Sequence, residues 1–108
     1  MEDTDVTAKE SLLAREDSFI KIHQNILLSL ENVGLVLTDH LVQITFNSKN
    51  PDPIELMLEK KAEIYRVSYW DGYAVNEYYD YASISKAIKK LNKFSIKAVE
   101  NISKFGIK

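Results

Sequence analysis

The N-terminal part of the chain has apolar residues at spacings of three and four, the period of one face of a helix. Residues 9–33 are predicted to form one long amphipathic helix, because no glycine or proline interrupts the repeat before Gly34. Thr7 and Glu10 have the spacing of a capping box and would start this helix, and Gly34 is well placed just past its end. The repeating apolar residues are Leu12, Leu13, Phe19, Ile20, Ile22, Ile26, Leu27, Leu30 and Val33.

A second helical repeat occupies the C-terminal part of the chain, in residues 83–106. It predicts an amphipathic helix that is capped by Ser83 or Ser85 and closed by Gly106. Lysines lie mostly off its apolar face. The apolar stripe consists of Ile84, Ala87, Ile88, Leu91, Phe94 or Ser95, Ala98, Ile102 and Phe105.

Between the two helices the apolar period falls to two, which is typical of strands with one buried face. Residues 35–48 are rich in β-branched side chains and predict a strand. Both prolines lie in residues 47–53, which are predicted to form a loop. Residues 54–62 fit a strand or a short helix, and the alternation that follows Pro53 favours the strand.

An Asp71-Gly72 pair lies between two aromatic runs and predicts a hairpin with a two-residue turn. In that register Arg66 faces Glu77, a favourable pair of opposite charges. Neither face of this hairpin is purely polar, so either both faces are covered or one awaits a partner. The other predicted pairs are Trp70 with Tyr73, Ser68 with Val75, Ile64 with Tyr79, Tyr69 with Ala74, Val67 with Asn76 and Tyr65 with Tyr78.

These elements predict an α+β fold, a two-layer sandwich with a long N-terminal helix, an antiparallel sheet of three or four strands, and a C-terminal amphipathic helix. Two amphipathic helices need an apolar surface, and one face of the sheet supplies it. The other face then stays open. We expect residues 8–108 to form a single domain and the acidic residues 1–7 to be frayed.

Candidate catalytic chemistry is sparse. The chain has no cysteine, which removes disulfides, thiolate metal sites and cysteine nucleophiles together. No glycine-rich phosphate loop or activated-serine motif is present, and His23 and His40 lie in different predicted elements. We therefore expect a protein that is not an enzyme and that uses no metal or other cofactor.

Charge is unevenly distributed along the chain, although the net charge is only −2. Residues 84–108 contain seven lysines and one acid, whereas the rest of the chain is acidic. This polarity predicts two faces of opposite sign if the elements stay on separate surfaces. Alternatively, the basic helix offsets the acidic remainder within the fold.

All six tyrosines and the only tryptophan lie in residues 65–81, together with three acids. Tyr and Trp are enriched at interface hot spots because they bury a large area at low entropic cost. One interpretation is a surface for a basic protein partner; the other is that tyrosine is an ordinary strand residue. The predicted partner-binding residues are Tyr65, Tyr69, Trp70, Asp71, Glu77, Tyr78 and Asp80.

In size, charge and architecture the chain resembles the immunity proteins and other small inhibitors that bacteria make against toxic enzymes. The resemblance implies a cytoplasmic, non-catalytic protein that neutralises a toxin, and many such toxins are nucleases with basic clefts. An acidic face with aromatic anchors can fill such a cleft without any catalytic residue.

Besides a small-molecule-binding fold, which would need a pocket that a sequence does not show, two alternatives remain open. A nucleic-acid-associated module would use the lysines of the C-terminal helix to contact phosphates, and a homodimer would pair through the sheet. No apolar run reaches the ~20 residues that span a bilayer, so no membrane partner is expected. The lysines of the first alternative are Lys86, Lys89, Lys90, Lys93 and Lys97.

Overall fold

A computed structural model describes residues 10–46, 54–70 and 75–104 of the chain. The predicted frayed segment at residues 1–7 and the cap residues Thr7 and Gly106 lie outside these residues. Five strands and two α-helices follow a short 3-10 helix at Leu12–Arg15. The elements are α1 (Glu16–Leu27), β1 (Val33–Leu37), β2 (Leu41–Phe46), β3 (Ile54–Lys60), β4 (Tyr65–Trp70), β5 (Val75–Tyr81) and α2 (Ile84–Lys104).

The α+β fold is confirmed, with one strand more than the upper limit of the prediction. The five strands form a meander in the order β1-β2-β3-β4-β5, and all neighbours are antiparallel. Both helices pack on one face of this sheet, α1 against β1 and α2 against β3, β4 and β5. No helix in the described ranges is long and apolar enough to cross a membrane.

The first helix is shorter than predicted at both ends. The Ser11 side chain accepts a hydrogen bond from the Leu13 amide at 3.1 Å and starts the 3-10 turn. At the other end α1 stops at Leu27, because Val33 is drawn into β1, where it pairs with Phe46. Gly34 therefore does not close α1, whose C-cap is Leu28 in a right-handed conformation. The residue with a left-handed backbone in this connection is Asn32, with a φ of 59°, directly before β1.

The additional strand arises because residues 33–46 form a hairpin rather than one strand. Its turn is held by Thr38, whose side chain accepts hydrogen bonds from the amides of His40 at 3.3 Å and Leu41 at 3.0 Å. Serine and threonine favour such turns because their hydroxyl groups form hydrogen bonds with nearby backbone groups. His40 lies in this turn and is exposed.

The core lies between the helices and the inner face of the sheet. Every second residue of β2 and β4 is buried, and in β3 the same alternation buries Leu56 and Leu58. The predicted stripe of α2 is confirmed for residues 84–102, and Phe94 and Ser95 are both buried. Ser83 caps this helix, since its hydroxyl accepts from the Lys86 amide at 3.4 Å.

The predicted register between β4 and β5 is wrong. Arg66 pairs with Asp80 instead of Glu77, and Ser68 pairs with Tyr78. A shift occurs after Tyr69, so that Trp70 faces Val75. Along most of the ladder, the observed pairing differs from the predicted one by an odd number of residues. The side chains of β5 that were predicted on one face of the sheet therefore lie on the other. Asp71 and Gly72 themselves lie outside the described residues.

Candidate partner-binding face of the sheet

The face of the sheet opposite the helices is a shallow surface assembled from alternate residues of all five strands. No element of the described structure covers it, and its side chains are either half-buried by their neighbours or, as for Val36, Tyr78 and Asp80, exposed. It is called the open face below. Its members are Gly34, Val36, Leu41, Gln43, Thr45, Glu55, Met57, Glu59, Arg66, Ser68, Trp70, Tyr78 and Asp80.

A charged cluster forms where β3, β4 and β5 lie side by side. Arg66 is placed between Glu59 on β3 and Asp80 on β5 by the strand register. Its guanidinium donates two parallel hydrogen bonds to Asp80, Nε to Oδ1 at 2.8 Å and Nη2 to Oδ2 at 3.0 Å. It also lies 4.3 Å from the ring centroid of Tyr78, so the cluster fixes an aromatic ring as well as a carboxylate.

Electrostatics in this cluster favour the charged forms. The hydrogen bonds from Arg66 lower the pKa of the Asp80 carboxyl below its ordinary value, more than its slight burial raises it. The same hydrogen bonds raise the pKa of Arg66, and the nearby Glu59 adds to that effect. Asp80 is therefore ionised throughout the physiological range.

An apolar and acidic region adjoins the charged cluster. Trp70 and Met57 are half-buried on the same face, and Glu55 faces Trp70 across the ladder. The Gln43 amide donates a hydrogen bond to Glu55 at 3.2 Å, which orients that carboxylate. With Glu59 and Asp80, the described side chains of the open face carry three acids against one arginine.

Two of the residues predicted to bind a partner belong to the core instead. Tyr65 is 1% exposed and Tyr69 is 2% exposed. Both point toward the helices, where the Tyr65 hydroxyl donates to the Glu10 carbonyl at 2.8 Å. Tyr69 packs edge-on against Phe94, with ring centroids 5.4 Å apart. They cannot contribute to an exposed surface, because the parity of β4 places them on the inner face.

Glu77, also predicted to bind a partner, lies on the helix side of β5. It forms an ion pair with Lys97 of α2 and accepts a hydrogen bond from the Tyr79 hydroxyl at 3.2 Å. The hydrogen bond from Lys97 is the main cause of its lowered pKa. Because the register differs from the predicted one, this acid links α2 to the sheet and is separate from the open face.

The lysines predicted to contact nucleic acid fall into two groups. Lys90 lies over Tyr79 at 4.2 Å from the ring centroid, and Lys97 is held by Glu77. These two side chains close the exposed edge where α2 meets β5. Lys86, Lys89 and Lys93 point outward on α2. The lysines of α2 thus lie on the opposite side of the sheet from the three acids of the open face, although the helix layer also carries the exposed acids Glu16, Asp17 and Glu100.

The structure therefore keeps Trp70, Tyr78 and Asp80 of the predicted set together on one surface. Asp71 lies outside the described residues. The sequence analysis did not include Glu55, Met57 and Glu59 in the binding surface. Their alternation with the buried residues of β3 is the signal that places them on its outward face.

The two histidines lie in different environments. The His23 Nε2 atom is 2.6 Å from the Val33 carbonyl oxygen, a contact that ties α1 to β1, whereas His40 is exposed in the β1–β2 turn. Within the described ranges, no cluster of three or more histidines and acids could hold a metal ion.

Comparison with models of protein families, with curated proteins and with solved structures finds no match to this chain.

Proposed function

We propose that this protein is a non-catalytic protein-binding module, an inhibitor of the immunity-protein kind that neutralises a basic, nuclease-type toxin. The observation that supports this function is the open face itself. It combines aromatic side chains, a methionine and three carboxylates on a sheet whose other side packs against the two helices.

The aromatic residues supply the binding energy in this proposal. Tyr78 is 54% exposed, and Trp70 and Met57 are half-buried beside it. Tyr, Trp and Met are enriched at the centres of protein interfaces. Because Arg66 already orders the Tyr78 ring, little side-chain entropy is lost when a partner covers it.

The carboxylates determine the sign of the partner. Glu55, Glu59 and Asp80 attract a basic surface, and Gln43 and Arg66 hold two of these acids in fixed positions. Complementary charge accelerates the encounter and disfavours acidic competitors. A nuclease cleft lined by lysine and arginine has this character.

Inhibition by occlusion demands only a surface of suitable shape and charge. The proposal places the protein in the cytoplasm, where it would meet a toxin that degrades nucleic acid. A homodimer formed through the same face would compete with this role, and it would be visible as a concentration-dependent mass in sedimentation equilibrium.

The nucleic-acid alternative has one observation in its favour. Lys86, Lys89 and Lys93 are exposed on α2, and no described residue forms an ion pair with them. Lys90 and Lys97 of the same predicted set are occupied by Tyr79 and Glu77. Only three of the five predicted lysines are therefore free to contact phosphates. This supports nucleic-acid binding less than the open face supports protein binding.

The test is affinity capture at physiological salt with two charge-matched double variants. Glu55→Gln with Glu59→Gln removes two acids from the open face, and Glu16→Gln with Glu100→Gln removes two exposed acids from the helices. We expect one stoichiometric basic protein that is retained by the wild type and the helix variant and lost with the open-face variant. The captured protein is then assayed for nuclease activity with and without this chain.

Equal retention by both double variants would refute the open face as the binding surface. Capture without any effect on the activity of the partner would refute inhibition while leaving protein binding in place. Thermal unfolding of each variant, followed by circular dichroism, shows whether a variant that loses the partner is still folded.

A further inference from the structure

A groove of about 550 Å³ runs between α1 and α2 on the side of the molecule away from the open face. The two helices run parallel. Arg15, directly before α1, donates a hydrogen bond to Ser85 at the start of α2 at 3.2 Å, and residues farther along α1 line depressions with residues farther along α2. The groove is lined by Ser18, Lys21, Ile22, Asn25, Ile88, Lys89, Asn92 and Lys93. Its size lies within the range of about 300–1,000 Å³ that is typical of sites for small molecules.

Three lysines from two different helices converge on this groove. Lys21, Lys89 and Lys93 are exposed, and no described residue forms an ion pair with any of them. Lys89 and Lys93 are four residues apart on one helix, a spacing at which like charges repel. This repulsion remains uncompensated within the described structure, and an anion in the groove would relieve it.

The rest of the lining suits a ligand with both charged and apolar parts. Ile22 and Ile88 form an apolar floor, and Ser18, Asn25 and Asn92 supply neutral hydrogen-bonding groups. A lysine ammonium is a compact charge with three donors, and it binds the oxygens of a phosphate as a point charge rather than through a planar fork. The cationic groups of this groove are all lysines, which favours phosphate over a carboxylate held in bidentate geometry.

We propose that the groove between α1 and α2 binds a small, multiply phosphorylated ligand, of the size of a nucleoside polyphosphate. Lys21, Lys89 and Lys93 contact the phosphate oxygens, and the apolar floor takes the organic part. A second, shallower depression beside it is lined by Lys86, Lys89, Lys90, Lys93 and Tyr81. It extends the positive surface along α2, so that a chain of phosphates would run toward Tyr81.

This site does not depend on the partner-binding function. The open face and the groove lie on opposite sides of the sheet, so a ligand in the groove leaves Trp70 and Tyr78 uncovered. Loss of ligand binding with retention of the protein partner, or the reverse, separates the two proposals experimentally.

The experiment titrates the full-length chain with inorganic tripolyphosphate and with ATP, without a divalent metal, in 0.15 M NaCl, by calorimetry and by amide NMR shifts. Both probes are expected to bind with 1:1 stoichiometry and to shift amides of residues 18–25 and 88–93. ATP is expected to bind more tightly than tripolyphosphate, because its adenosine covers the apolar floor.

Lys89→Gln and Lys61→Gln form a matched pair, since each removes one exposed lysine and only Lys89 lines the groove. Lys89→Gln should weaken ATP binding by about threefold to tenfold, as expected for one partly solvated charge-assisted contact, while Lys61→Gln should leave it unchanged. Equal weakening by both variants, or no binding of either probe, would overturn the proposal.

A 12-nucleotide single strand is titrated in parallel to separate a small-ligand site from a nucleic-acid surface. Tighter binding of the oligonucleotide than of ATP, with a steep dependence on salt, would replace the small ligand by nucleic acid. Weaker binding of the oligonucleotide, with a preference for ATP over tripolyphosphate, supports the groove as a small-ligand site.

Discussion

Arg66 on β4 and Asp80 on β5 form a bidentate ion pair on the open face, with nitrogen–oxygen distances of 2.8 and 3.0 Å. The pair replaces the Arg66–Glu77 contact that a two-residue turn predicts. The pair stabilises the register of β4 and β5. Arg66 also stacks on the Tyr78 ring and orders this exposed aromatic side chain. One side chain thus connects the sheet topology with the proposed binding surface.

Asp80→Asn is expected to lower the free energy of unfolding slightly at neutral pH. The pKa of Asp80 is lowered in the folded protein. Its contribution is therefore present above the ordinary carboxyl pKa and is lost as the pH falls through the lower, folded value. Urea denaturation from pH 7 down to pH 2 should show the wild type and the variant converge at the acid end. The effect is small because both side chains are about one-third exposed.

The control for this substitution is Asp39→Asn, which removes an exposed carboxylate from the β1–β2 turn and leaves the Asp39 carbonyl in its backbone contacts. A difference between the wild type and Asp80→Asn that stays constant across the whole pH range would show that the Asp80 charge is not the cause.

The two inward tyrosines should behave as core residues. Tyr69→Ala is expected to lower the free energy of unfolding by about 3–5 kcal/mol, as for other large aromatic side chains removed from a core. Tyr78→Ala, which removes a ring that is 54% exposed, should cost less than about 1 kcal/mol. Equilibrium denaturation of the two variants compares them directly. Similar losses would contradict the burial of Tyr69.

Tyr65→Phe tests a single hydrogen bond in the same region. The ring stays buried, and only the hydroxyl that donates to the Glu10 carbonyl at 2.8 Å is removed. The expected loss is about 0.5–1.5 kcal/mol of unfolding free energy. Hydrogen exchange should show faster opening of the backbone around residues 10–13, because this bond ties that segment to β4. Unchanged exchange there would contradict the link.

Periodicity identified the elements well where one face is buried. The stripe of α2 and the alternation of β3 placed their buried residues correctly, because apolar burial determines both patterns. Periodicity failed for Leu30 and Val33, which continue the helical spacing of α1 although the chain has already left the helix. Pairing of Val33 with Phe46 in the sheet overrides the local pattern.

The candidate surface was only partly predictable, because it depends on long-range register. A two-residue Asp-Gly turn is a local signal, whereas the observed ladder lets Tyr79 and Tyr81 join the inner face beside Val67 and Tyr65. Packing of Tyr81 against the core and contact of Tyr79 with Phe94 favour a register that the turn residues alone do not reveal. Trp70, Tyr78 and Asp80 stayed in the surface, but Tyr65, Tyr69 and Glu77 did not.

The Glu77–Lys97 ion pair should show measurable coupling in a double-mutant cycle of Glu77→Gln and Lys97→Gln. Lys97 lowers the pKa of Glu77, and Glu77 raises that of Lys97. The pair therefore stabilises the fold between the two pKa values and is lost when acid protonates Glu77 or base deprotonates Lys97. A coupling energy of about 0.2–1 kcal/mol is expected at neutral pH because the pair is partly exposed.

High salt provides the control for this cycle. Coupling should fall in 1 M NaCl, where the Debye length is about 3 Å. A coupling energy that is independent of both salt and pH would show that the charges of Glu77 and Lys97 are not its cause.

The connection between α1 and β1 offers a test of whether Asn32 or Gly34 is the residue that needs a left-handed backbone. Asn32 has a φ of 59°, a conformation that costs most residues with a Cβ about 1–2 kcal/mol. Asn32→Ala should therefore lower the free energy of unfolding by about 1 kcal/mol, and Asn32→Gly should be tolerated. Gly34 lies within β1 and pairs with Thr45, where glycine is an unfavourable strand residue. Gly34→Ala should then be neutral or stabilising in thermal denaturation, whereas a helix that ended at Gly34 would make it the costlier of the two alanine substitutions.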